Sequence, residues 1–144
     1  MKLSSALSVV IVILATLLAS AAGAEKSTIL INITSGPEDL HKATMALQLG
    51  GHALDDGRDL AIFLNVRSPV FAAKDCPAQL SFGKNPPVKT MLAALVKRGA
   101  KVHVCPHCME ALGITADDLI DGAQVTNREK LFGLLGPNTH IFTY

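Results

Sequence analysis

Two kinds of hydrophobic pattern alternate along this chain. Short, nearly continuous apolar runs are typical of strands that are covered on both faces of a parallel sheet. These runs occupy residues 28–34, 59–66, 101–104 and 139–144. The first intervening segment instead has helical spacing, with Leu40, Ala43, Leu47 and Leu54 on one face. The alternation predicts an α/β fold, a three-layer, open, mostly parallel sheet of about five strands with helices on both faces.

The remaining segments complete this predicted order. Thr34 or Ser35 is expected to cap the first helix, and residues 88–98 form a second helix that ends at Gly99. Residues 67–87 contain four prolines and predict a long loop with at most one short helix. Further short helices are expected after Thr115 and Asn127, with a brief strand at 123–125 between them.

The first residues have the pattern of an export signal. Lys2 precedes an apolar run from Leu7 to Leu18, and Ala22-Gly-Ala24 matches a signal-peptidase site. An uncleaved anchor is the alternative, but the run is shorter than the roughly 20 residues of a membrane span. We therefore predict a signal peptide at 1–24 and a single domain at 25–144. The domain would be periplasmic or secreted, with no membrane contact after cleavage.

Charge and composition exclude several functions. Without Lys2, the 13 basic residues become 12 and equal the 12 acidic ones. There is no basic run and no tryptophan, so nucleic-acid binding has no electrostatic or stacking basis. Three cysteines in an exported chain leave at least one thiol unpaired within a monomer, which favours reactive thiols over a disulfide scaffold.

The candidate chemistry lies in Cys105-Pro-His-Cys108. Val104 ends a predicted strand and Pro106 suits the first position of a helix, so Cys105 is expected at a helix N-terminus, which favours the thiolate. Cys105 would attack, Cys108 would resolve, and His107 could add positive charge. A thioredoxin-like oxidoreductase carries this motif after its first core strand, whereas here about three strands precede it. Two inert thiols are the other alternative.

Cys76 and a metal site leave further alternatives open. Cys76 lies in the long loop and could exchange sulfur or pair with Cys105, or be a loop cysteine without a role. The soft ligands from His103 to Met109 could bind copper across a subunit interface, in a non-enzymatic binding or assembly module. No second Cys-x-x-Cys supplies a tetrahedral set. We therefore predict no metal ligand and no cofactor.

The chain resembles the DsrE/DsrF-like sulfur-relay family, which includes TusD-type and YchN-like proteins. The likeness is strongest over residues 99–115, around Val-His-Val-Cys105-Pro-His-Cys108-Met-Glu-Ala-Leu-Gly, and continues over Asp118-Leu-Ile-Asp-Gly-Ala-Gln-Val125. The resemblance implies a persulfide on the cysteine at position 105 and a homotrimer or homohexamer. It also implies a sulfur donor or acceptor, either a protein or a small thiol.

Overall fold

The computed structural model describes residues 26–144. The predicted signal peptide at 1–24 and its cleavage site lie outside these residues. Within the described part of the chain, no helix is both long enough and apolar enough to cross a membrane.

The centre of the domain is a five-stranded sheet with the order β4-β3-β2-β1-β5. Every neighbouring pair of strands is parallel, as the apolar runs predict. The strands are β1 (Thr28–Ile33), β2 (Asp59–Leu64), β3 (Lys101–Val104), β4 (Ala123–Val125) and β5 (Thr139–Thr143).

Four α-helices connect the strands: α1 (Leu40–Asp55), α2 (Val88–Lys97), α3 (Pro106–Ala111) and α4 (Arg128–Phe132). Short 3-10 helices lie at Pro37–Asp39, Ser68–Ala72 and Ala116–Asp118. The prediction of the first cap was wrong, because a 3-10 turn precedes α1 and Asp39 accepts the hydrogen bond from the Lys42 N–H. Asn127 caps α4 as predicted.

The two faces of the sheet are covered unequally. Ile31, Ile62 and Val102 lie fully buried on the face that packs against α1 and α2. The opposite face is covered in part by α4, whose Lys130 reaches Gln124 of β4. Strand β5 has little cover on either side and leaves Ile141 56% exposed. The helices therefore lie on both faces of the sheet, and most of the hydrophobic core lies on the face that packs against α1 and α2.

The parallel arrangement brings the carboxyl ends of all five strands to one edge. Thr34 follows β1, Asn65 follows β2, Cys105 follows β3, Thr126 follows β4 and Tyr144 follows β5. Ligands of open α/β sheets bind at this edge, where chain segments diverge from the strand ends. The predicted reactive cysteine is therefore located where this fold places its binding sites.

A candidate thiol site at the carboxyl edge of the sheet

Cys105 connects β3 directly to α3. Its backbone N–H donates to the Leu64 carbonyl at 2.9 Å, which extends the pairing of β3 with β2 by one residue. Cys105 is extended (φ −66°, ψ 119°) and is the N-cap of α3, with Pro106 in the first turn, as the sequence predicts. The Cys105 side chain accepts no capping hydrogen bond from α3, which has only six residues. Of the two cysteines in the motif, it is Cys108 whose sulfur accepts a backbone hydrogen bond.

Cys108 lies one helical turn further along α3. Its Sγ accepts a hydrogen bond from the Val66 N–H at 3.1 Å. Both thiols are free and half-buried. Burial raises the pKa of the Cys108 thiol, and the neighbouring Cys105 thiol raises it further, whereas the Val66 N–H lowers it. Cys108 therefore keeps its proton more readily than an ordinary cysteine.

Val66 follows β2 in a strained conformation. Its φ of +54° is in the left-handed region, and among residues 26–144 it is the one non-glycine residue found there. A β-branched side chain in this region is a rare outlier that costs about 1–3 kcal/mol. The side chain is 58% exposed, so packing of the side chain does not offset this cost. The strain is maintained by the hydrogen bonds of the residues on either side.

Those hydrogen bonds fix the turn from Asn65 to Ser68 to the end of β1. The Asn65 N–H donates to the Ile33 carbonyl at 3.1 Å, and the Arg67 N–H donates to Thr34 at 3.2 Å. The buried Ser68 hydroxyl lies 2.6 Å from the Ile33 carbonyl and 2.9 Å from the Asn65 carbonyl. Because both flanks are held, the Val66 N–H is directed towards α3.

A charged pair supports the same turn from outside. The Arg67 Nε donates to Glu38 Oε2 at 3.1 Å, while Glu38 Oε1 accepts from the Gly36 N–H at 2.8 Å. The Gly36 hydrogen bond, with a smaller contribution from Arg67, lowers the pKa of the Glu38 carboxyl. A Cβ on Gly36 would lie 2.8 Å from the Cβ of Arg67, so this contact requires glycine.

Two asparagines connect neighbouring strand ends and were missed in the sequence analysis. The Asn65 Nδ2 donates to Asn32 Oδ1 at 2.7 Å, and the Asn32 Nδ2 lies 3.4 Å from the Thr143 hydroxyl. The sequence signal was an amide inside or at the end of an apolar run, because such a buried polar group needs a partner. For Val66 no such signal exists, since valine is an ordinary strand residue.

Cys76 and His107 are placed differently from each other. Cys76 is only 5% exposed and belongs to the hydrophobic core, and burial raises the pKa of its thiol. It lines a mainly apolar cavity of about 380 Å³ together with Leu112 and Ile114. Its thiol lies 4.0 Å from the neighbouring Pro77 carbonyl. His107 is exposed in the first turn of α3, beside the two cysteines in sequence.

The soft ligands that are close in sequence point in different directions in the fold. His103 is 3% exposed on the α4 side of the sheet, whereas Met109 is buried in the core on the other side and His107 is exposed. Burial, followed by Lys101 and Lys130, lowers the pKa of His103, and neither ring nitrogen has a hydrogen-bond partner. Across residues 26–144, no group of three or more His, Cys, Asp or Glu side chains could hold a metal ion.

The fold and this site define a class of protein. Residues 27–144 match the model of the DsrE/DsrF-like family, so the chain belongs to that family. This membership indicates sulfur relay, with relay partner proteins, at the level of the family. The result confirms the resemblance seen in the motif around Cys105.

Three individual proteins are also similar to this chain. The chain is 29% identical over 112 residues to an uncharacterized protein of Methanocaldococcus jannaschii, which covers 78% of this chain and 95% of the relative. It is 28% identical over 120 residues to an uncharacterized protein of Methanopyrus kandleri, covering 81% and 93% respectively. The crystal structure of the YchN protein from E. coli superposes with a TM-score of 0.65 at 20% identity, covering 83% of this chain and 99% of that one, which shows the shared fold.

Proposed function

We propose that this protein carries sulfane sulfur as a persulfide on Cys105, with Cys108 as the resolving thiol. The observation that carries the proposal is the pair of free thiols, one helical turn apart at the carboxyl edge of the sheet, in a chain of the DsrE/DsrF-like family. Cys105 is half-buried, which leaves room for a donor to approach while limiting access of solvent to the product.

Loading and release both follow thiol exchange. The Cys105 thiolate attacks the outer sulfur of a donor persulfide, the donor S–S bond breaks, and the donor leaves as a thiolate. An acceptor thiolate can then take the outer sulfur in the same way and regenerate the Cys105 thiolate. Alternatively, the Cys108 thiolate attacks the Cys105 sulfur, which forms the Cys105–Cys108 disulfide and releases hydrosulfide with the electron pair of the broken bond. The donor and the acceptor can each be a partner protein or a small thiol.

Mass spectrometry after incubation with a polysulfide tests the proposal. The wild-type chain should gain the mass of one or more sulfur atoms, and reduction should remove them. Cys105→Ser should gain none on this site, whereas the matched variants Cys76→Ser and Cys108→Ser should still load Cys105. Equal loading of Cys105→Ser and wild type would overturn the assignment of Cys105.

We also propose that the protein assembles as a homotrimer or homohexamer. The support is a set of exposed apolar side chains on the edge strand β5 and at the end of α4 or just after it: Phe132, Leu135, Ile141 and Phe142. Large exposed apolar side chains at a sheet edge offer a surface that a second copy of the chain can cover. Light scattering on a size-exclusion column should give the mass of a trimer or hexamer for wild type and a smaller mass for Ile141→Lys. A monomeric wild type would contradict this proposal.

Finally, we propose that the protein works in the periplasm or outside the cell, after cleavage following Ala24. The support is the export pattern of residues 1–24. N-terminal sequencing of protein from the native cell envelope should begin at Glu25. A chain that retains Met1 in the cytoplasm would contradict the proposal.

A further inference from the structure

The strained residue Val66 contacts the thiol site through its backbone. We propose that Val66 is a positioning residue whose N–H, fixed by the strained turn, holds the Cys108 sulfur and stabilises it as a thiolate during exchange with Cys105. This inference rests on the proposed function, because it assigns a role within the resolving step. The Val66 N–H acts on the Cys108 sulfur, whereas the transferred sulfur is carried on Cys105.

The first argument is the direction of the donor. The Val66 N–H lies 3.1 Å from Cys108 Sγ, and this bond joins the loop after β2 to α3, 42 residues later in the chain. A backbone N–H is a hydrogen-bond donor only, so it interacts better with a thiolate than with a thiol. The contact therefore favours the form of Cys108 that attacks the Cys105 sulfur.

The second argument is the cost at which this contact is kept. Glycine would adopt the φ of +54° freely, yet a β-branched, exposed residue occupies the position. Its flanks are anchored to the end of β1 by Asn65 and Arg67, so the turn cannot relax without losing those hydrogen bonds. Strain that the surroundings impose in this way is typical of functional sites.

The third argument is electrostatic. Burial and the neighbouring Cys105 both raise the pKa of Cys108, and the Val66 N–H opposes them. Among residues 26–144, Cys105 is the titratable group that shifts the pKa of Cys108. Without the Val66 contact, the resolving thiol would be ionised still less at neutral pH and would attack more slowly. The strained turn thus offsets part of the cost of burying the resolving cysteine.

The test replaces a single backbone N–H, that of Val66, by an oxygen atom. In a Cys105→Ala background, replacing Val66 by its α-hydroxy analogue converts the amide into an ester and deletes the N–H while keeping the side chain. The rate at which iodoacetamide alkylates Cys108, followed by peptide mass mapping across pH, gives the pKa of Cys108. We expect a raised pKa and alkylation at neutral pH slowed by about threefold or more, since the thiolate fraction falls tenfold per pKa unit.

The matched control is Ser35→Ala in the same background. Ser35 is a buried serine of the same edge whose Oγ has no hydrogen-bond partner, so its substitution keeps the hydrogen bonds of the turn and the Val66 N–H. The control should leave the pKa of Cys108 unchanged. An unchanged pKa in the ester variant, or an equal rise in the control, would overturn the proposal.

A second variant decides the matter if the ester variant does not fold. Gly36→Ala adds a Cβ 2.8 Å from the Cβ of Arg67 and 3.0 Å from its carbonyl oxygen, which displaces the turn without touching either cysteine. It should raise the pKa of Cys108 in the same direction, and an unchanged pKa in this folded variant would refute the role of the turn. Sulfur loading is measured separately, in protein that retains Cys105. Normal loading together with an unchanged Cys108 pKa in the variants refutes only the role of Val66. Absent loading refutes the proposed function.

Discussion

The hydroxyl of Ser68 is a buried anchor of the turn beside the thiol site. Ser68 is fully buried, and its Oγ lies 2.6 Å from the Ile33 carbonyl and 2.9 Å from the Asn65 carbonyl. We expect Ser68→Ala to destabilise the protein, because alanine fits the site but removes the hydroxyl. The substitution leaves each carbonyl with one remaining donor, Asn65 N–H for Ile33 and Ser68 N–H for Asn65.

Those remaining donors set the size of the effect. A buried group left entirely without partners costs about 1–3 kcal/mol, whereas the loss of one net hydrogen bond costs about 0.5–1.5 kcal/mol. Since both carbonyls keep a partner, we expect the free energy of unfolding to fall by about 1–1.5 kcal/mol. With a urea m-value of about 1.5 kcal/mol/M for a domain of this size, the midpoint of urea unfolding should fall by about 0.7–1 M.

The control is the other buried serine of this edge. Ser35 is 8% exposed, and its Oγ has no hydrogen-bond partner. Ser35→Ala removes a hydroxyl of the same kind without losing a bond, so its urea midpoint should equal or exceed that of wild type. Equal midpoints for Ser68→Ala and wild type, or equal losses in both variants, would refute the argument that Ser68 anchors the turn.

Two further predictions concern the strained and the buried residues. Val66→Gly should raise the free energy of unfolding by about 1 kcal/mol, because the relief of about 1–3 kcal/mol of backbone strain exceeds the entropic cost of glycine. A urea midpoint lower than that of wild type would contradict this prediction. Burial lowers the pKa of His103, so the unfolded chain takes up a proton below about pH 6.5 while the folded chain stays neutral at this residue. Wild type should therefore lose stability as the pH falls below 6.5, and His103→Leu should lose less. If the urea midpoints of the two proteins change in parallel with pH, His103 does not cause this loss.

The order of strands and helices was predictable because it depends on local patterns. Apolar runs and helical spacing identified all five strands and the main helices, and the parallel arrangement followed from runs that are apolar on both faces. The position of Cys105 at a strand end was predictable for the same reason. Pro106 and Gly113 mark the limits of the short helix that follows.

The partners of the cysteines were not predictable, because they depend on contacts between distant segments. Nothing in the sequence distinguishes Val66 from any strand residue, and its conformation results from hydrogen bonds that its neighbours make with β1. The cluster from His103 to Met109 suggested a soft-metal site, but the strand and helix direct these side chains to different surroundings. The predicted loop cysteine, Cys76, is buried, in a segment where Ala73 pairs with the distant Leu119.

The central claim is that Cys105 accepts the sulfur. The most direct measurement is tandem mass spectrometry of wild-type protein that has been incubated with polysulfide, trapped with an alkylating agent and digested without reductant. The account predicts trapped persulfide on the peptide that carries Cys105, and its retention in Cys108→Ser. Persulfide found on Cys76 or Cys108 while Cys105 carries none would contradict the account.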